Sequence, residues 1–414
     1  MALSRGLLAS SFASLSLVAC AAILGFDGPV LRDDGDGATD ACADGACAAA
    51  GRWSALAAVP LGMLGRTAHS AVWTGKEMIV WGGETATGPA SDGAAYDPAR
   101  DSWRALTASP LAKRSGQAAV WSGREMIVWG GTNFLESRFY ADGASYDPAS
   151  GAWATLPPPP SSFRGRAGAI FAWSTTTKEL IVWSGATGEL EPPAPDGAAY
   201  RPESKTWRTI APAPVDGRTD GVPVWNGTKL VFFGGNQCMS SIGAYCVDGA
   251  SYDPATDQWA VLPPAPRGVF NGPEGHAGVA TGDGGSAATF WGGLQNGLVQ
   301  APLSSKGASF DEAAQSWNAL QEPGAALARA PRAGVAAFGT RSRLFVWGGV
   351  DVAGIIDNGA SYDFESKLWA PMSEGGPAGR QAATVVWTGT SAIVWGGSGA
   401  ALGVYLDDGA IFTP

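Results

Sequence analysis

The apolar residues of this chain gather in short β-branched and aromatic runs that stop at a pair of glycines. Met78-Ile79-Val80-Trp81-Gly82-Gly83 is one. The pattern returns as Met126–Gly131, Leu180–Gly185, Leu230–Gly235, Ala288–Gly293, Leu344–Gly349 and Ala392–Gly397, giving seven copies. A run of this kind predicts a buried strand, and the glycines predict a tight turn or a close backbone approach at its end.

The residues around each run predict three more strands. In the first copy these are Arg66–Trp73 before the Gly75-Lys76 turn, Asp92–Tyr96 after a loop, and Trp103–Leu106 after the turn opened by Asp97-Pro98. Proline is favoured at the second position of such a turn. The tyrosine recurs as Tyr146, Tyr200, Tyr252, Phe310 and Tyr362, with Ile411 in the last copy, and the last tryptophan recurs as Trp153, Trp207, Trp259, Trp317 and Trp369. Residues 52–414 divide into seven units of about 52 residues. A glycine doublet, a tyrosine and a tryptophan at these spacings resemble the kelch motif, whose period is about 50 residues. The resemblance implies an all-β, seven-bladed kelch-type β-propeller with four antiparallel strands per blade.

The final copy stops at Asp408–Phe412 without a tryptophan strand, and Arg52–Leu56 is a tryptophan strand with nothing before it. Together they predict a seventh blade completed by the N-terminal strand, which removes an open sheet edge.

Composition adds little to the fold but narrows the partners. The 59 glycines and 28 prolines suit short strands and tight turns, and the formal charge of −10 argues against a nucleic-acid surface. Residues 1–19 carry Arg5 and an apolar run ending at Leu17-Val18-Ala19-Cys20, which predicts a secretion signal. That box resembles the bacterial lipoprotein signal. The resemblance implies lipidation of Cys20, export to the outer membrane or cell surface, and attachment by lipid alone. Residues 20–51, rich in aspartate, predict an extended tether. Cys42 and Cys47 are spaced to close a small disulfide loop in an oxidising compartment.

Strand alternation puts the loops entering first strands, and those joining second to third strands, at one end of the ring. These loops vary, from Glu84–Ser91 through Thr132–Ala141 and Asn236–Val247 to Leu294–Lys306, whereas the turns at the other end are short and uniform. The variable end is the expected binding face. Arg66, Arg114, Arg166, Arg218, Arg332 and Arg380 stand at one repeat position, broken in blade 5 by Pro273 beside Glu274. They predict a crown of guanidinium groups at the channel mouth, as a ligand site for carboxylate or phosphate or as a structural part of the repeat. Cys238 and Cys246 share one loop and predict a disulfide.

No metal site or cofactor is expected. His69 and His276 hold the same repeat position, which argues for packing. The expected function is a monomeric binding module for a protein or glycan, with exposed Phe134, Phe139 and Tyr140. The alternative is a kelch enzyme resembling sugar mutarotases that act on acidic sugars, with Glu84, Glu136, Glu189 or Glu274 as acid or base. Catalytic residues are not identified by any motif.

Overall fold

Apolar runs alternating with tight turns fold each repeat into one four-stranded antiparallel sheet. The computed structural model describes residues 51–238, 246–266, 277–281, 287–293, 303–401 and 403–414. The signal and tether segments, with Cys20, Cys42 and Cys47, lie outside the described residues, as do Pro273, Glu274 and His276.

Blade 1 runs from the innermost strand outward as Ser70–Trp73, Met78–Trp81, Gly93–Asp97 and Ser102–Ala105. Six further sheets repeat this order, and the last takes Thr384–Trp387, Ala392–Trp395 and Gly409–Thr413 together with Arg52–Ala55 from ahead of blade 1. Trp53 lies opposite Phe412, and Ala55 opposite Ala410. Each innermost strand packs against that of the next blade, and Ser70–Trp73 packs against Thr384–Trp387, so the ring is closed. One alignment of the sequence needs correction. The residue of blade 7 that matches Tyr96 is Phe412, opposite Ala392 and Trp53, while Ile411 projects to the other face of the sheet.

Two repeated devices hold adjacent blades together. The fourth-strand tryptophan of each blade packs on the second-strand aromatic of the blade before it, as Trp153 does on Trp81 and Trp53 on Trp347, with ring centroids 5.2–5.8 Å apart. Its indole N–H also donates to a carbonyl of that preceding blade over 2.7–3.1 Å. A buried indole needs such a partner, and each aromatic pair adds roughly 0.5–1.5 kcal/mol beyond area burial.

The glycine doublet is the second device. Gly82 and Gly83 both have positive φ, at 67° and 97°. The turn they make brings the Gly83 N–H to the carbonyl of Arg114 in the next blade, at 2.9 Å. Gly397 reaches Arg66 in the same way and ties blade 7 to blade 1. A side chain at Gly83 would meet the Thr67 carbonyl at 2.6 Å, so bulk as well as backbone angle excludes it.

Candidate functional site

The six repeat-position arginines do not form an open crown. Arg66 is separated from its blade's first strand by Ala68, whose φ of 49° turns the chain. Gly116, Gly168, Asp220, Gly334 and Ala382 make the same turn in other blades. Arg66 and Thr67 therefore pair with Glu84 and Thr85 of the loop after the second strand, and the arginine side chain points into the blade. All six guanidinium groups are buried.

Each arginine is spent on its own blade. Nε donates to a carbonyl two or three residues back over 2.9–3.1 Å. Nη1 donates over 3.0–3.3 Å to the carbonyl that opens the doublet turn: Gly82, Gly130, Ser184, Gly234, Gly348 or Gly396. Asp92, Asp142, Asp196, Asp248 and Asp408 supply carboxylates 2.8–2.9 Å away, and Asn358 takes that place in blade 6. Burial lowers the pKa of Arg166 and Arg380, and draws Arg332, which has no carboxylate in its fork, down to about 10. These side chains are struts that satisfy loop carbonyls. The expectation that Arg66, Arg114, Arg166, Arg218, Arg332 and Arg380 bind an external anion is corrected on that ground. What the end shows to solvent is the opposite charge, since the paired aspartates keep 44–59% of their side-chain surface exposed.

His69 is a seam residue. Its ring sits edge-on to Trp395 at 4.9 Å, and Nε2 shares a 2.7 Å hydrogen bond with the Thr384 hydroxyl. Burial, with Arg66 beside it, lowers its pKa to about 3, so it is neutral. Gln117, at the same repeat position, donates to Ser70 and to the Trp81 carbonyl. This position joins each of these two blades to the one before it. Tyr140 is buried under the Arg114 guanidinium, 4.0 Å from its ring centroid, and is not an exposed aromatic. Cys238 and Cys246 form the expected disulfide, with Cα atoms 5.6 Å apart.

The variable end is marked by apolar exposure. Of the large apolar side chains exposed among the described residues, Leu61, Leu64, Phe134, Leu135, Leu190, Val247, Val352 and Val404 lie in loops at the variable end. Val261 and Leu368 lie on or beside outer strands. Large apolar exposure among the described residues is thus biased toward one end.

One concavity there is a groove of about 540 Å³ between blades 2 and 3, lined by Ser137, Phe139, Arg164, Thr187, Glu189, Leu190 and Glu191, with Gly165 and Gly188. Asn133 shapes one wall by accepting the Leu135 N–H at 3.1 Å, which starts a single helical turn, Phe134–Glu136. Ser137 ends that turn at φ 48°. The Ser137 hydroxyl then donates across the blades to Glu189 Oε1 at 2.6 Å. On the other wall Arg164 pairs with Glu191 Oε2 at 2.8 Å and donates to Thr187 Oγ1 at 2.9 Å. The Thr187 hydroxyl and Arg164 together hold the Glu191 carboxyl below its ordinary pKa.

Of the glutamates considered as acid or base, Glu189 alone lines this groove. Glu136 is exposed outside it, and Glu84 is half-buried at the first loop, where burial raises its pKa against an opposing hydrogen bond from Ser115. Phe134 and Phe139 meet edge-on at the groove, with centroids 6.1 Å apart. Sequence reasoning missed Arg164, Thr187, Glu191 and Ser137, which occupy loop positions that no repeat marks. Among the described residues no cluster of His, Cys, Asp or Glu is placed to hold a metal ion, and no helix is long and apolar enough to cross a membrane.

Comparison with known proteins agrees with this architecture. Residues 46–214, which hold blades 1 to 3 and the closing strand, match the KLHDC2/KLHL20/DRC7 Kelch-repeats domain. Comparison with curated protein sequences finds no match. Among solved structures the chain is similar to that of YjhT, at a TM-score of 0.57 and 15% identity, over 77% of this chain and 99% of that one. The repeats within residues 46–214 are kelch repeats, and the fold that the chain builds is a kelch-type β-propeller.

Proposed function

We propose that this protein is a binding module of the cell envelope, tethered through Cys20 and residues 20–51, that engages another protein through the variable-loop end of its propeller. The observation that carries the reading is the concentration of exposed apolar side chains at that end. At the other end one such side chain among the described residues, Leu368, stands in a turn, against eight at the variable end. The Cys238–Cys246 disulfide supports export, because such bonds persist in oxidising compartments.

The enzymatic alternative is weakened by the arginines. A mutarotase acting on acidic sugars needs a cation facing the substrate carboxylate, and the six candidates face loop carbonyls and aspartates instead.

A photo-cross-linking residue placed in turn at Leu135, Leu190 and Val352 of the full chain tests the face. All three positions are expected to capture a partner protein in cells, while the same residue at Glu203 or Glu365, in turns at the opposite end, captures none. Even labelling from both ends, or capture of glycan alone, defeats the reading. Replacing Cys20 with serine is expected to abolish incorporation of labelled fatty acid and release the protein from the membrane fraction.

A further inference from the structure

Which chemistry the variable end recognises follows from how its charges are arranged, given that this end binds a protein at all. We propose that the groove between blades 2 and 3 takes a protein segment carrying a lysine or arginine beside a bulky apolar side chain.

The polar half of the groove has acceptors to spare, and the cation among its lining residues is already paired, while the neighbouring Arg138 turns over the Tyr140 ring. Glu189 uses Oε1 for Ser137, and Glu191 uses Oε2 for Arg164 and Thr187. Glu189 Oε2 and Glu191 Oε1 have no donor among the described residues. The one cation lining the groove, Arg164, is already engaged by Glu191. An arriving ammonium or guanidinium group would complete both carboxylates, whereas an arriving carboxylate would meet two like charges.

The wider face repeats the asymmetry. Five aspartates turn half their side-chain surface outward while the arginines that balance them are buried behind. Solvent screens the aspartates from one another, but a ligand approaching from outside meets carboxylate first.

The apolar half decides between a sugar and a protein. Leu190, 76% exposed, and Phe139 line it, while Leu135, 77% exposed, and Phe134, 50% exposed, stand outside the groove on the blade 2 loop that bears Phe139. A glycan stacks on a flat ring and gains little from branched aliphatic chains. A protein segment with a leucine or phenylalanine next to its cation would bury these side chains. The groove volume of about 540 Å³ accommodates two or three side chains.

The test uses the full-length protein and a fluorescent dodecapeptide of alternating leucine and lysine. Control peptides carry glutamate for lysine or serine for leucine. The leucine–lysine peptide is expected to bind, the serine peptide to bind roughly tenfold more weakly, and the glutamate peptide not at all. Glu189→Gln with Glu191→Gln, and separately Leu135→Ser with Leu190→Ser, should each weaken the leucine–lysine peptide by roughly tenfold. Glu203→Gln with Glu365→Gln changes net charge equally at the opposite end and should leave binding unchanged.

Equal losses in the groove and control pairs would reduce the effect to overall charge and overturn the proposal. Binding of the glutamate peptide, or displacement by oligosaccharides alone, would overturn it too. A partner that cross-links at Leu135 or Leu190 but ignores the lysine peptide would leave the binding-module reading standing and remove this inference only.

Discussion

Arg164 and Arg166 stand two residues apart and do opposite things. Arg166 is buried, gives Nε to the Arg164 carbonyl and Nη1 to Ser184 and Asp196, and has no surface left for a ligand. Arg164 is more than half exposed and reaches Thr187 and Glu191 on one wall of an open groove. Identical side chains on one short segment thus serve the frame and the site. The backbone decides which: Gly168, at φ 61°, turns the chain so that Arg166 points into the blade, while the preceding loop leaves Arg164 at its surface. The repeat therefore identifies what the frame needs, and function is to be sought where the repeat fails.

The widest gap between frame and site should appear when the seam is cut. Deleting Arg52–Ala55 removes the outer strand of blade 7 and the Trp53 contacts with Trp347 and Phe412. It also leaves Gly409–Thr413 as an unpaired edge. Loss of a single packed tryptophan costs about 3 kcal/mol, and the strand carries more than that. The deletion is expected to abolish cooperative thermal unfolding by circular dichroism. Melting of blade 7 alone, with the other blades keeping their transition, would show that the ring does not depend on closure.

The arginine pair comes next. Arg166→Ala leaves three loop carbonyls without their donor and empties the space of a buried side chain, and should cost about 3–5 kcal/mol in urea denaturation. Arg164→Ala removes an exposed pair and should cost no more than about 1 kcal/mol. Equal losses would erase the distinction between strut and site.

That distinction explains what could be read in advance. Met78–Gly83 and its copies, with Trp103 and its copies, define blades and ring closure because a buried strand and an inter-blade indole contact demand the same residue types each time. The arginines were legible as a set but not as struts, because a sequence shows recurrence without direction. Ala68 gave no sign of its left-handed turn, since alanine seldom adopts positive φ. The slip from Phe412 to Ile411 has a similar cause: both are apolar, and only strand register separates them. The groove was half visible. Glu189, Phe134 and Phe139 were marked by chemistry, but Arg164, Glu191 and Ser137 come together only when the loops of two blades meet.

His69 offers a milder test of the seam. Its folded pKa of about 3 lies below the ordinary 6.5, so the unfolded chain takes up a proton that the folded ring refuses. Stability present above 6.5 is lost as pH falls toward 3, at about 1.4 kcal/mol per unit. Carboxylates such as Asp101, held low by the Tyr96 hydroxyl and the Ala57 amide, act only near and below 3.8. In the window from 6.5 to about 4.5 the histidine acts together with Glu84, whose raised pKa works in the opposite sense, so the difference between the wild-type chain and a His69 variant reports the histidine. His69→Gln, which copies Gln117, should remove the histidine's share of the slope in urea stability across that window. A slope unchanged by the substitution would mean that the ring nitrogen charges without cost and that the seam admits water.

The smallest effect on stability should come from the site itself. Leu190 is 76% exposed, so Leu190→Ser removes almost no buried area and should change the unfolding free energy from urea denaturation by less than about 0.5 kcal/mol. Cross-linking from Leu135, on the blade 2 loop beside the groove, should nevertheless fall in the same variant, because one partner would have to cover both leucines. Stability and binding would then be lost by different residues, Arg166 for the first and Leu190 for the second. If Leu190→Ser destabilises the ring as Arg166→Ala does, the leucine belongs to the frame, and its exposure no longer points to a partner.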